Sequence, residues 1–204
     1  MSNLDLAAST TAGELDPDWR SVSRSAAFEA FEAGSMPDQS EEIWRYVDLG
    51  FDLNRFTTAT TDAPDLGDDP LLEHLSRPIA VRVIGDEYVG ADHVADGFAA
   101  MSLRRAAVDH PDTVREVVER AGVSARDGIF AAAAGAFGGD GVFVHVGPSV
   151  VAPSVVAIDL RAGADGSVTF PAVVVAADEH ADVSIVVHLR SHPNAETIAI
   201  PQFS

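Results

Sequence analysis

Asp140-Gly141-Val142-Phe143-Val144-His145-Val146 opens the stretch that decides the fold. Three more valine-rich runs follow, Pro153–Arg161, Val168–Ala177 and Asp182–Arg190. Turn signals separate them at Gly147-Pro148, Gly163-Ala164-Asp165-Gly166 and Asp178-Glu179-His180. Val142, Val144 and Val146 alternate with Phe143 and His145. In the last run Val183, Ile185, Val187 and Leu189 alternate with Asp182, Ser184, Val186 and His188. Alternation of this kind predicts strands, because successive side chains point to opposite faces. No helical pattern lies between the runs, so the expectation is a β stack, sandwich or solenoid rather than βαβ units.

Upstream the period becomes helical. Asp109–Ala121 carries Val114, Val117, Val118 and Ala121 on one face, with Pro111 in its first turn, a Glu116–Arg120 pair and Gly122 as a stop. Arg126–Phe137 is small and apolar, which predicts a helix buried against neighbours. Gly138-Gly139-Asp140-Gly141 then turns that helix into the first strand. Ile79–Ile84 predicts a strand with Tyr88-Val89 as its hairpin return. Thr57–Asp69 reads as a loop and Pro70–Leu75 as a helical turn. Glu41–Tyr46 reads as a short helical turn in which Trp44 and Tyr46 flank Arg45. Two aromatics around an arginine make either a partner surface or a packed anchor, and packing is the expectation, since large aromatics usually carry core area. Ser21–Ala33 predicts a helix with Phe28 and Phe31 on one face and Gly34 at its end. Residues 1–18 are small and polar, and disorder is expected there.

Composition narrows the function classes. The chain has 204 residues and a formal net charge of −19. Every basic side chain is arginine, since the sequence contains no lysine. Such a surface repels phosphate backbones and anionic membranes, which argues against nucleic-acid or membrane partners. The absence of cysteine excludes disulfides, thiol catalysis and thiolate metal sites. No apolar run reaches the ~18–20 residues needed to cross a bilayer, and no secretory signal pattern is present, so a cytoplasmic location is expected.

No catalytic set emerges. The absence of lysine rules out a phosphate loop ending in Gly-Lys-Ser/Thr. Gly147-Pro148-Ser149-Val150-Val151 lacks the second glycine of a nucleophile elbow. Asp178-Glu179-His180-Ala181-Asp182 has the atoms of a metal or acid–base site, and equally the composition of an exposed turn. His145 and His188 sit on predicted strands, where they either face a site or fill a half-polar face. The residues therefore assign no catalytic, cofactor-binding or metal-ligating position.

Two segments together resemble a known family. Phe28–Pro37 followed by Glu42-Ile43-Trp44-Arg45-Tyr46-Val47-Asp48-Leu49 is similar to the opening of the SufD/SufB family of iron–sulfur cluster assembly scaffolds, on its SufD side. Asp140-Gly141-Val142-Phe143-Val144-His145-Val146-Gly147-Pro148-Ser149-Val150-Val151 looks like the start of that family's β-helix, and Phe170–Val183 like its next strands. The sequence departs from the pattern at Gly147, where proline is usual, at Ser149, where glycine is usual, and at Ala172, where arginine is usual. The resemblance implies an α+β protein: a helical-rich domain over 19–137, then the first rungs of a truncated β-helix over 138–204. It singles out Trp44, Arg45, Tyr46, Asp140, Gly141 and Phe143 as structural or partner-contact positions.

It further implies a non-enzymatic scaffold role beside SufB-like and SufC-like subunits. The iron–sulfur cluster would be handled by the complex, with no cofactor assigned to this chain. Family members run longer, with a SufC-docking region that has no counterpart here, so a fragment or short form is expected. The alternatives are a small cupin-like metal enzyme using His145, His180 or His188, or an inactive remnant. Ile198–Phe203 supplies little cap, so an exposed, pairing-prone strand edge is expected after the last run.

Overall fold

The computed structural model describes residues 3–58, 65–120 and 124–204. It is an α+β fold in which five helices pack against three sheets. The valine-rich section contributes β6 (Gly141–Val146), β7 (Val156–Arg161), β8 (Ser167–Thr169), β9 (Ala172–Ala177), β10 (Ile185–Arg190), β11 (Ile198–Ala199) and β12 (Gln202–Phe203). The predicted run Val168–Ala177 is thus two strands, broken at Phe170-Pro171, where proline has no N–H to continue a ladder.

The chain visits the three sheets in a fixed order. β6, β9 and β12 are parallel neighbours in the first sheet, β7 and β10 in the second, β8 and β11 in the third. Gly141 pairs with Ala172, Val156 with Ile185, Val168 with Ile198 and Ala172 with Gln202. Each pass through the sheets therefore takes about 30 residues. Between the sheets lies an apolar interior. Val142, Val144 and Val146 of β6 meet Val156, Ile158 and Leu160 of β7, all at most 1% exposed. The opposite face of β6 is covered as well, with Phe143 fully buried and His145 partly so.

Earlier strands close one side of these passes. β1 (Thr57–Thr58) pairs with β8, and β2 (Ile79–Ile84) pairs with β7, both in parallel. β2 also turns back antiparallel onto β3 (Glu87–Val89). β4 (His93–Ala95) and β5 (Phe98–Ser102) form an antiparallel pair, and β5 runs antiparallel to β6. The strands and core run across the expected division at 137/138. Residues before that point share sheets and a core with residues after it: Phe31, Ala133 and Phe137 pack with Val168 and Phe170. β4 and β5 escape the sequence pattern because small alanines carry little alternation.

The helices are α1 (Leu6–Ala12), α2 (Asp18–Ala33), α3 (Leu103–Asp109), α4 (Pro111–Arg120) and α5 (Ile129–Phe137). α1 lies within 1–18, the segment where disorder is expected. Asp5 caps it by accepting from the Ala8 N–H at 3.0 Å, Leu4 is fully buried, and Ser9 Oγ donates to the Ala136 carbonyl at 2.8 Å. One well-placed leucine and one hydroxyl fix a segment whose mean composition is polar. α2 begins three residues before the predicted start, at Asp18 after Pro17, and stops at Gly34. The expected end of the next helix at Ala121-Gly122 lies outside the described residues, as does 59–64 of the expected loop. Among the described residues no helix is long and apolar enough to cross a membrane.

Candidate functional site

The singled-out residues separate into buried supports and one exposed patch. Asp140 is buried and holds a helix start. Its Oδ1 accepts from the Arg104 N–H and the Gly141 N–H, both at 2.8 Å, and its Oδ2 accepts from Ser102 Oγ at 2.7 Å. A carboxylate receiving first-turn N–H groups satisfies donors that the helix cannot. Gly141 faces the Ala172 carbonyl, which would lie 2.3 Å from an added Cβ, so only glycine lets β6 and β9 approach here. Phe143 is fully buried against Leu103, Val114 and Val174.

The aromatic turn divides. Trp44 packs on Phe130 of α5 with ring centroids 5.6 Å apart. Tyr46 is 92% exposed and Ile43 86% exposed, and Arg45 is also exposed. Packing holds for Trp44, while Ile43 and Tyr46 form an apolar surface patch. The i and i+2 spacing of Trp44 and Tyr46 could not have put both on one face of so short a turn.

The histidines do not converge. His145 Nε2 lies 3.2 Å from Asp178 Oδ2, and His188 Nδ1 lies 2.9 and 3.0 Å from the two oxygens of Asp69. His180 is exposed, with φ 61° in the left-handed region of a turn. Among the described residues no group of three or more His, Asp or Glu is placed to hold a metal ion.

The outer face of the second sheet carries a charge network that the motif search missed. Asp159 is 1% exposed on β7. It accepts from Arg82 Nε of β2 at 3.2 Å, from Arg161 Nε at 2.9 Å, and from Arg190 Nε and Nη2 of β10 at 3.0 and 2.8 Å. Burial pushes its pKa up, but the hydrogen bonds from Arg190 and Arg161 outweigh it, and the carboxylate stays below its ordinary value. Arg161 and Arg190 also donate to the Gly67 carbonyl, pinning the 65–69 segment over the sheet. The available signal was polar residues two apart inside valine-rich strands: Asp159 with Arg161, His188 with Arg190.

No protein-family model and no curated protein matches the chain. The remaining feature able to engage a partner is the far edge of the sheets. β10, β11 and β12 each stand last in their sheet, so their outer backbone groups face away from the fold. Burial falls accordingly. Leu160 is 1% exposed on β7, and its register partner Leu189 on β10 is 46% exposed.

Proposed function

We propose that this chain is a non-enzymatic scaffold of the SufD type, serving iron–sulfur cluster assembly beside SufB-like and SufC-like subunits. The observation that carries the reading is the parallel register of β6 with β9, β7 with β10 and β8 with β11. Three sheets revisited in order, every ~30 residues, are what the start of a β-helix requires. The Asp140-Gly141-Val142-Phe143 signature supports it further, since Asp140 ties the start of α3 to the first strand and Gly141 stands where a Cβ would meet the Ala172 carbonyl. Ser149 also supports it. Its φ is 59°, a left-handed conformation that suits the glycine usual at that position in the family.

In this reading the patch of Ile43 and Tyr46 and the edges of β10, β11 and β12 are the contact surfaces, and Asp159 with its arginines is structural. Co-expression with SufB-like and SufC-like subunits, followed by tagged purification, tests it. Retention of the SufB-like subunit is expected, and weak or no direct retention of the SufC-like one. If neither this chain nor a version lengthened by a further β-helix segment retains either subunit, the scaffold role falls.

A further inference from the structure

A cavity of about 190 Å³ lies between α2, α4, α5 and the first sheet. Most of its wall is apolar, formed by Ala27, Leu103, Val114, Phe170 and Val174, and one end is polar, where Asp16, just before α2, and Trp19 and Arg20 in its first turn line the wall. At that end the charges do not balance. Arg24 is fully used: Nε and Nη2 donate to Asp16 Oδ2 at 3.0 and 2.6 Å, and Nη1 donates to the Ala136 carbonyl at 2.9 Å. Arg24 therefore neutralises Asp16. Asp140 is occupied by Ser102 and backbone N–H groups.

Arg20, Arg24 and Arg104 thus stand near only two carboxylates, Asp16 and Asp140, which leaves one positive charge in surplus, and Arg20 is the arginine on the cavity wall with an unsatisfied guanidinium nitrogen. Its Nη1 lies 3.4 Å from Asp16 Oδ1, and neither atom makes a hydrogen bond. Trp19 Nε1 is also buried without an acceptor. Burial lowers the Arg20 pKa, Asp16 pulls it back up, and Arg24 lowers it again. Arg20 is half-buried, with its Nη1 atom out of water, and a guanidinium nitrogen held there without an acceptor costs free energy until an anion meets it. In a chain of net charge −19, an interior point with excess positive charge is selective for one.

We propose that this cavity binds a small aliphatic monocarboxylate, its carboxylate on Arg20 and Trp19 Nε1 and its tail against Val114, Phe170 and Val174. The size excludes larger ligands, since pockets for drug-sized molecules begin near ~300 Å³. The apolar wall and single surplus cation favour a carboxylate with a hydrocarbon tail over a multiply charged phosphate.

Isothermal titration calorimetry of the whole chain with butyrate and hexanoate, and with hexanamide as the neutral control, tests the assignment. Saturable binding of at least one acid is expected, at least tenfold tighter than the amide. Trp44→Phe leaves Trp19 as the sole tryptophan, so its emission should change over the same concentration range. Arg20→Met should lose binding while keeping its circular dichroism. Val118→Phe, at a partly exposed position on the cavity wall, should block the acid without unfolding the chain. No saturable heat with either acid, equal heat with the amide, or undiminished binding in Arg20→Met would each overturn the proposal. Should Arg20→Met fail to fold, undiminished binding in Val118→Phe would do so instead.

Discussion

The first pass through the sheets and the second are built from similar sequence and meet different fates. β6, β7 and β8 are flanked on both sides, by β5, β2 and β1 before them and by β9, β10 and β11 after them. β10 and β11 have a neighbour on one side only. Every residue of β7 is buried, and none of β10 is. β10, with Ile185, Val186, Val187 and Leu189, is at least as rich in strand formers as β7, with Val156, Ile158 and Leu160, so strand propensity does not explain the difference. Stability in a stacked architecture comes from the interfaces between layers, and β10 and β11 have one such interface where β7 and β8 have two.

The sharpest way to break the comparison is through Asp159, which ties both passes to β2. Asp159→Ala leaves Arg82, Arg161 and Arg190 without their shared carboxylate. Removing one partner of a buried charge group costs about 3–5 kcal/mol. Chemical denaturation should show that loss, and limited proteolysis should find the 65–69 segment newly open to cleavage. A loss below ~1 kcal/mol would mean the network is solvated rather than structural.

A matched pair of truncations measures the difference between passes directly. Leu160 and Leu189 occupy the same register position. Leu160→Ala should cost about 2–5 kcal/mol, whereas Leu189→Ala should cost under ~1 kcal/mol because much of that side chain is already in water. Equal losses would show that something covers the second pass in solution.

These contrasts also show what was legible in the sequence. The boundaries of β6 could be read directly, because alternation of valine with Phe143 and His145 has no helical interpretation. The parallel pairing could not be read, since register between strands ~30 residues apart is set by the interior that they jointly enclose. β1, β4 and β5 were invisible for a related reason: two threonines or a run of alanines become strands only because a neighbour supplies the ladder. At the candidate surfaces, Trp44 as an anchor was legible from its size. The Asp159 network showed only as polar residues two apart within strands, since its Arg82 and Gly67 partners lie more than 75 residues away, and the Arg20 cavity did not show at all, since it joins residues from opposite ends of the chain.

The closed side of the first pass carries a pH signature that the open side lacks. Asp86, in the turn between β2 and β3, accepts from the Phe170 N–H at 2.6 Å, and burial raises its pKa to about 7, against opposing pulls from that hydrogen bond and Arg24. The folded chain thus holds a proton that the unfolded chain releases near pH ~4. The associated stability is full below that pH, falls as pH rises toward 7, and is level beyond. Asp86→Asn keeps the Phe170 acceptor and removes the titration. Against the parent chain, its stability should gain on the order of 4 kcal/mol between pH ~4 and ~7. Parallel pH profiles would remove Asp86 from the account. Asp159 does not confuse this window, because its depressed pKa places its loss at lower pH.

The smallest effect on stability tests the open edge itself. In β12, Gln202 and Ser204 donate to the carbonyls of Pro171 and Val173, so by parallel-strand geometry the Phe203 N–H points outward. Proline at such a position is tolerated on an edge and blocks any strand added there. Phe203→Pro should change unfolding free energy by under ~1 kcal/mol, since Phe203 is already half-exposed and no existing ladder bond is removed. The parent chain should associate as concentration rises in size-exclusion chromatography, because unpaired parallel edges recruit strands. The proline variant should associate less. A parent chain that stays a monodisperse monomer at every concentration would mean that twist, or the charge of Arg190 beside the edge, already protects the second pass.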